Sequence, residues 1–454
     1  MSEIIDYRKC QDTKITGLRH IPGEKGIPIL GKTPALFNDF YGTLERHQQK
    51  YGRISKIGIG FQTGVMPLGP DSAQEILLDK TRNFSNEMGY SATLSDWFGG
   101  SILSRDFDEH RFHRRIFQTA FKSESMQSYS EGINDVVRQA LDGLGQKAEI
   151  TFMPFIKGIL MSIGAKVFFG IDELGESNSK NFEKAFLAIT EKGMRSLVKK
   201  DFPFFNYHYG LLGKRFVVSF LSSLIVEKRK GDGLDFMSHL VKETLDDGTY
   251  FSDKDIIDHL SFLFFAAFDT TSTGLSHLVM HLAEDQNMQD ELREQSKSIG
   301  CQEVTYKDVS RLPAIDMAFS ESLRLYPPVA IMMRRTIREC VLENVRIPPN
   351  TIIFLIPGMN HRMPEYWTAP NIFDPQRFSP SRLEHKRHPY QFTPFGGGAH
   401  KCIGMNFALM NSKLFMHQLL LKYRFKLRPG YQIGSRILPT PTPTDELPLI
   451  IEKL

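Results

Sequence analysis

The sequence predicts a mainly α protein with small β-sheets, an α+β arrangement in which helices dominate. Helical spacing of apolar residues runs from Asp71 to about Leu325. Two shorter stretches, Arg53 to Leu68 and Arg334 to Phe354, alternate apolar and polar residues as strands do. No Pro/Gly/Ser-rich linker, low-complexity tract or internal repeat divides the 454 residues. The expectation is one large helical domain with a minor strand-rich part over 1–454, of which about 1–20 is an N-terminal extension.

Along the chain, Arg19-His20-Ile21-Pro22-Gly23 to Pro28-Ile29-Leu30-Gly31 reads as an extended, Pro/Gly-punctuated entry. Leu36 to Tyr51 is expected to be helical, and Arg53 to Leu68 to form strands and turns. The long helical stretch that follows is interrupted near Phe202 to Gly213. Within it, Ser252 and Asp255 form a capping pair before a helix expected over Ile256 to Ala283. A proline-rich irregular stretch, Pro357 to Phe395, leads to a helix over Met405 to Lys422. The alternation from Tyr431 to Glu452 reads as a terminal hairpin.

Composition excludes several classes. With 41% hydrophobic and 24% charged residues the chain is globular, not disordered. A net charge of +4 gives no reason to invoke nucleic acid. Cys10, Cys301, Cys340 and Cys402 have no pairing rhythm, which points to a reducing, cytoplasmic setting. Met1 to Ala35 holds no apolar run near the roughly 20 residues that span a bilayer, so no transmembrane anchor is expected; peripheral membrane contact stays open.

The most informative run is Phe395-Gly396-Gly397-Gly398-Ala399-His400-Lys401-Cys402-Ile403-Gly404. Three consecutive glycines allow positive φ and close approach to a flat partner. The cysteine stands just before an apolar helix, whose N-terminal N–H groups favour a thiolate. Such a thiolate is a good axial ligand for haem iron. A buried free cysteine in a glycine turn is the competing reading.

Phe395, Gly398, Cys402 and Gly404 fit Phe-x-x-Gly-x-x-x-Cys-x-Gly, and the sequence resembles the cytochrome P-450 family from about residue 20 to its C-terminus. The resemblance rests on five separated motifs in the family's order, and it implies the soluble bacterial type. It also implies haem b ligated by Cys402, O2 as cosubstrate, and electrons from NAD(P)H through ferredoxin or flavodoxin with its reductase. No reductase is expected to be fused to the chain.

The middle of the long helix reads Phe264-Phe265-Ala266-Ala267-Phe268-Asp269-Thr270-Thr271. A buried acid there is costly without a task or a partner, and Thr can bond back to a helix carbonyl. Small Ala266 and Ala267 leave room beside the helix. The resemblance implies that Asp269 and Thr270 are the acid–alcohol pair that relays protons. Ala267 departs from the glycine more usual there. An ordinary solvated Asp is the alternative.

Glu321 and Arg324 stand at i and i+3 on one helical face, just before Leu325-Tyr326-Pro327-Pro328. Most such pairs are surface decoration. The resemblance to a Glu-x-x-Arg helix, and of Phe373 to Phe378 to a Pro-x-Arg-Phe stretch, implies a structural triad of Glu321, Arg324 and Arg377. Partners for the haem propionates are implied at His110 and Arg114, which share a helix face, at Arg335, and at His400. Arg334 adjoins Arg335, so the assignment there could shift by one residue. Arg111, Arg115, Lys122 and Lys401 are a candidate docking patch for an acidic electron-transfer protein.

By their order, Met88, Leu94, Trp97, Phe98, Phe265, Ala266, Ala330, Ile331, Met332 and Leu438 are expected to line an apolar pocket. An aromatic cluster of Phe202, Phe204, Phe205, Tyr207 and Tyr209 is either a lid over an access channel or plain packing. The function expected is a haem-thiolate monooxygenase that hydroxylates, epoxidises or dealkylates a lipophilic small molecule of terpenoid, steroid or fatty acyl class. A peroxide-driven or isomerising relative and a non-enzymatic haem sensor are the alternatives.

Overall fold

The structure, a computed structural model, describes residues 17–171, 176–196, 198–244, 248 and 250–454. Cys10 and most of the expected N-terminal extension lie outside them. Helices make up 56% of the chain, and the strands form small sheets, as the apolar spacing predicts.

The central element is the 32-residue helix Asp253–Glu284. Ser252 caps it, its side chain accepting from the Asp255 N–H. Apolar residues on most of its faces require burial along most of its length. It packs against Phe152–Phe169, Pro313–Leu325, Met405–Lys422, Asn86–Phe98 and Asn206–Lys228. Phe169, Phe182 and Phe186 close around Phe264, with ring centroids 4.9 to 5.5 Å from it. Such aromatic contacts add to the burial of area alone.

The larger sheet has six strands in the order Gly23–Glu24, Ile54–Ile59, Gln62–Pro67, Ile352–Leu355, Met332–Thr336 and Phe84–Ser85. Arg334 pairs with Ile353, and Arg335 with Ile352 and Ser85. A three-stranded sheet joins Tyr423–Leu427, Pro448–Lys453 and Lys147–Thr151.

Four local expectations are corrected, two of them by long-range pairing. The helix expected over Leu36 to Tyr51 is two, Thr33–Asn38 and Phe40–Tyr51, divided at Asp39, whose carboxylate accepts from the Gly42 N–H. Lys147–Thr151, inside the helical stretch, is a strand because it pairs with Pro448–Lys453. The interruption expected to reach Gly213 ends at Phe205, where helix Asn206–Lys228 begins. The terminal alternation is not one hairpin: Ser435–Arg436 pairs with Thr442–Pro443, while Pro448–Lys453 belongs to the three-stranded sheet. Helix Met405–Lys422 has the bounds its sequence predicts.

Candidate haem-thiolate site

The glycine loop is shaped by backbone contact. Gly396 and Gly398 have φ of +68° and +61°, which a side chain would strain. A Cβ on Gly398 would also collide with the Leu77 carbonyl oxygen. The Cys402 N–H donates to the Phe395 carbonyl at 2.8 Å and so closes the loop. At Gly404, the residue before helix Met405–Lys422, a Cβ would meet nothing within 4 Å.

Cys402 keeps solvent access, yet enough protein surrounds it that burial dominates its ionisation. A thiol with both properties lines a cavity. Burial pushes the thiol up, against the Gly404 N–H, Arg114 and Lys401, which pull it down. The helix start thus acts in the direction the sequence suggests, but burial outweighs it. A bound metal cation reverses that balance, since a coordinating thiol is deprotonated outright.

Four bases gather beside the loop. His400 stacks on His110, centroids 3.8 Å apart, and its Nδ1 lies 2.6 Å from Asn86 Nδ2. Burial first, then Arg114 and Arg334, lowers His110 to about 4. His400 is held well below its ordinary value by burial, Arg334, His110 and Arg114. Asp106 is the acid in reach, 3.9 Å from His400 Nε2; it already accepts from Ser85 Oγ and the Asn86 N–H, and burial raises it. Half-buried Arg114 makes no hydrogen bond or ion pair among the described residues; its electrostatic neighbours are Cys402, His110 and His400. Several bases, one weakened acid and an unpaired guanidinium beside a cavity-lining thiol fit a flat group that carries a metal ion and carboxylates.

Arg335 does not join this cluster. Strand side chains alternate in direction, and buried Arg334 faces Asp106, Tyr90 and His400. Arg335 donates instead to Asn350 Oδ1 at 3.1 Å. Of the two adjacent arginines, Arg334 is the one that neighbours His400 and Asp106.

On the central helix, Phe265, Ala266, Ala267, Asp269 and Thr270 are only half-buried, whereas the next ten residues are buried. Thr270 Oγ1 donates to the Ala266 carbonyl at 2.7 Å. Asp269 pairs with Lys157 Nζ at 3.0 Å and accepts from Thr440 Oγ1 at 3.4 Å. No local signal in the sequence links Lys157 or Thr440 to this acid.

Glu321, Arg324 and Arg377 meet in full burial. Arg324 Nε and Nη2 donate to Glu321 at 2.6 and 2.8 Å, and Arg377 Nε donates at 3.2 Å. The remaining guanidinium donors reach the carbonyls of His361, Thr368, Ala369, Pro370 and Ile372. Two members were not foreseen. Burial alone would raise Glu384, but hydrogen bonds from Arg382, the Thr368 N–H and Arg377 hold it at about 2. His361 donates from Nδ1 to the Arg324 carbonyl and accepts at Nε2 from the Thr393 N–H, two residues before Phe395. The network thus reaches the cysteine loop through hydrogen bonds.

The residues expected to line the pocket are distributed over several cores. Phe98 stacks on Phe265 at 4.9 Å, with Leu94 in the same core. Trp97 turns away from them to pack on Tyr207 and Gly193. Ala330, Ile331 and Leu438 belong to a second core and Met332 to a third; Met88 is buried on helix Asn86–Phe98. His113 Nδ1 and His259 Nε2 lie 2.9 Å apart near Asp255, but the Arg105 guanidinium already bonds Asp255 and Glu109. That cluster is therefore internally charge-compensated.

Fold and site together fit a haem-thiolate protein. The family described as Cytochrome P450 matches residues 21–442. A relative named cytochrome P450 136, from Mycobacterium tuberculosis, is 34% identical over 96% of this chain and 89% of its own. Abscisic acid 8'-hydroxylase 4 of Arabidopsis thaliana is 26% identical over 94% and 91%. The solved structure of retinoic acid bound cyanobacterial CYP120A1 superposes with a TM-score of 0.83 at 23% identity, covering 95% of this chain and 99% of that one. The chain belongs to the cytochrome P450 family. It is a monooxygenase that uses haem, O2 and electrons derived from NAD(P)H to act on a small molecule.

Proposed function

We propose that Cys402 ligates the iron of haem b and that His110, Arg114, Arg334 and His400 hold its propionates. The observation that carries this is the unpaired, half-buried Arg114 beside Cys402. When bound, haem supplies the centre at which O2 is reduced. Asp269 and Thr270 deliver protons there: Lys157 keeps the Asp269 carboxylate paired, and Thr270 presents a hydroxyl beside the small Ala266. This acid–alcohol pair favours a monooxygenase over a peroxide-driven or isomerising enzyme, which needs no such relay, and over a sensor. Glu321, Arg324 and Arg377 hold the loop and take no part in the chemistry.

The substrate we propose is lipophilic, of terpenoid, steroid or fatty acyl class, seated against Phe98 and Phe265. The likeness to a hydroxylase of abscisic acid, itself a terpenoid, puts terpenoids first. Ferredoxin or flavodoxin would supply electrons, docking at exposed Arg111, Arg115, Lys122 and Lys401. The whole chain then serves as one haem domain in the cytoplasm.

Two measurements test this. The reduced wild-type protein with CO should absorb where thiolate-ligated haem does, and Cys402→His should lose that band; its persistence would overturn the ligand assignment. A spectral titration of terpenoids, steroids and fatty acids should then shift the Soret band for at least one class. No shift with any of these, against a shift with polar sugar ethers titrated in parallel, would overturn the substrate class and leave the haem assignment intact.

A further inference from the structure

Thr43, Arg46, His47 and Lys50 stand at i, i+3, i+4 and i+7 of helix Phe40–Tyr51 and so share one face. Together with Glu24, Lys32 and Tyr51 they line a cavity of about 230 Å³. None of these residues lies on the cysteine loop or the central helix. His47 is the telling member. It is only 2% exposed, and neither of its ring nitrogens completes a hydrogen bond. Buried polar groups are bonded as a rule, so a pair of open nitrogens at a cavity wall points to a missing partner. Burial first, then Lys32, lowers His47; Glu24 and the Lys56 backbone oppose this, and Lys50 adds to it. The ring is therefore neutral and can offer one N–H.

The charges around the cavity are unequal. Glu24 is the one acid that lines it, and the hydrogen bond from Lys32 holds that carboxyl below its usual range. Against it stand Lys32, Arg46 and Lys50. Arg46 Nη2 donates to Asp39 at 3.0 Å and to Thr43 Oγ1 at 3.3 Å. Its Nε and Nη1 make no hydrogen bond among the described residues. Lys50 Nζ lies 4.9 Å from the centre of the Tyr51 ring and has no ion pair among the described residues. Donors and positive charge are thus left over at a cavity that holds one neutralised acid.

We propose that this cavity binds the phosphate monoester of a small soluble molecule. Lys32, Arg46 and Lys50 give charge-assisted hydrogen bonds to the phosphate oxygens, and His47 adds a neutral donor. A phosphate monoester offers three terminal oxygens to these four groups, whereas a carboxylate offers two and leaves more donors unmet. The ligand would tie the edge strand Gly23–Glu24 to helix Phe40–Tyr51 through Lys32, which bonds Glu24 and stands just before helix Thr33–Asn38. That strand begins the six-stranded sheet that also carries Arg334, so an occupied cavity stiffens the sheet from its edge. The site stands independently of the haem assignment and of the substrate.

The test is calorimetric titration of the purified holoprotein with inorganic phosphate, glycerol 3-phosphate and acetate at one ionic strength. Both phosphates should bind and raise the thermal midpoint, and acetate should do neither. Arg46→Gln with Lys50→Gln, at two exposed positions, should weaken phosphate binding roughly tenfold and leave haem content and the unliganded midpoint unchanged. His47→Phe, which keeps a ring but removes both nitrogens, should weaken it severalfold. No binding, equal binding of acetate, or full affinity in the Arg46 and Lys50 double variant overturns the proposal, whether or not the His47 variant folds. Capture by phosphatidic acid vesicles while both soluble phosphates stay inert overturns it too, by assigning the cavity to a lipid headgroup.

Discussion

The ring of His400 lies against that of His110, centroids 3.8 Å apart and planes 30° from parallel. One comes from the cysteine loop and the other from helix Phe107–Thr119. Stacking two imidazoles so closely is compatible with neutral rings, and burial with Arg114 and Arg334 nearby keeps both neutral. These bases are therefore hydrogen-bond partners, while the two arginines carry the positive charge.

That division makes Arg334 and Arg335 separable. Arg334→Leu should lower haem retention by about an order of magnitude, since it removes the buried charge that we propose meets the haem carboxylates. Arg335→Leu, whose partner is Asn350, should change retention little. Haem transfer to an acceptor apoprotein measures both, and the opposite ranking would return the role to Arg335.

Glu321→Ala leaves Arg324 and Arg377 buried without their shared carboxylate. Breaking a buried pair this way costs roughly 3–5 kcal/mol. The variant should lose thermal stability and haem occupancy, while any holoprotein that survives turns over near the normal rate. Unchanged melting with full haem content would reduce the triad to a decorative contact.

Thr270→Ala should bind haem and substrate normally yet divert reducing equivalents into hydrogen peroxide. Asp269→Asn should slow turnover by about 10²-fold, the scale of a lost proton donor. Lys157→Met, which removes the partner of Asp269 without touching Thr270, should fall between wild type and Asp269→Asn. Product formed per NAD(P)H consumed, with peroxide assayed in parallel, decides. Normal coupling and rate in all three would mean that protons arrive by another path.

His361 should make the fold acid-sensitive. Burial lowers it from 6.5 to about 3, so the unfolded chain binds the extra proton first as pH falls. Its contribution is complete above pH 6.5 and drains away as pH drops towards 3. Protonation would also place a donor at Nε2, facing the Thr393 N–H. His361→Gln should flatten the dependence of the thermal midpoint on pH below 6.5; an unaltered slope would show that other groups carry it.

Sequence by itself determined what local chemistry dictates. Ser252 caps the central helix because its hydroxyl reaches the Asp255 N–H three residues on. Met405–Lys422 begins after a glycine loop and ends where Tyr423 turns extended. Glu321 and Arg324 bond at one helical turn. Tertiary structure alone decided what packing and distant strand partners impose. Strand period two puts Arg334, not Arg335, towards His400, and a one-residue slip inverts every side chain. Lys157 and Thr440 reach Asp269 only because distant segments fold against the central helix. Lys147–Thr151 leaves the helical pattern because Pro448–Lys453 supplies its hydrogen bonds. Capping and helical spacing act within a turn or two of chain; strand partners and charge neighbours come from residues tens to hundreds of positions away.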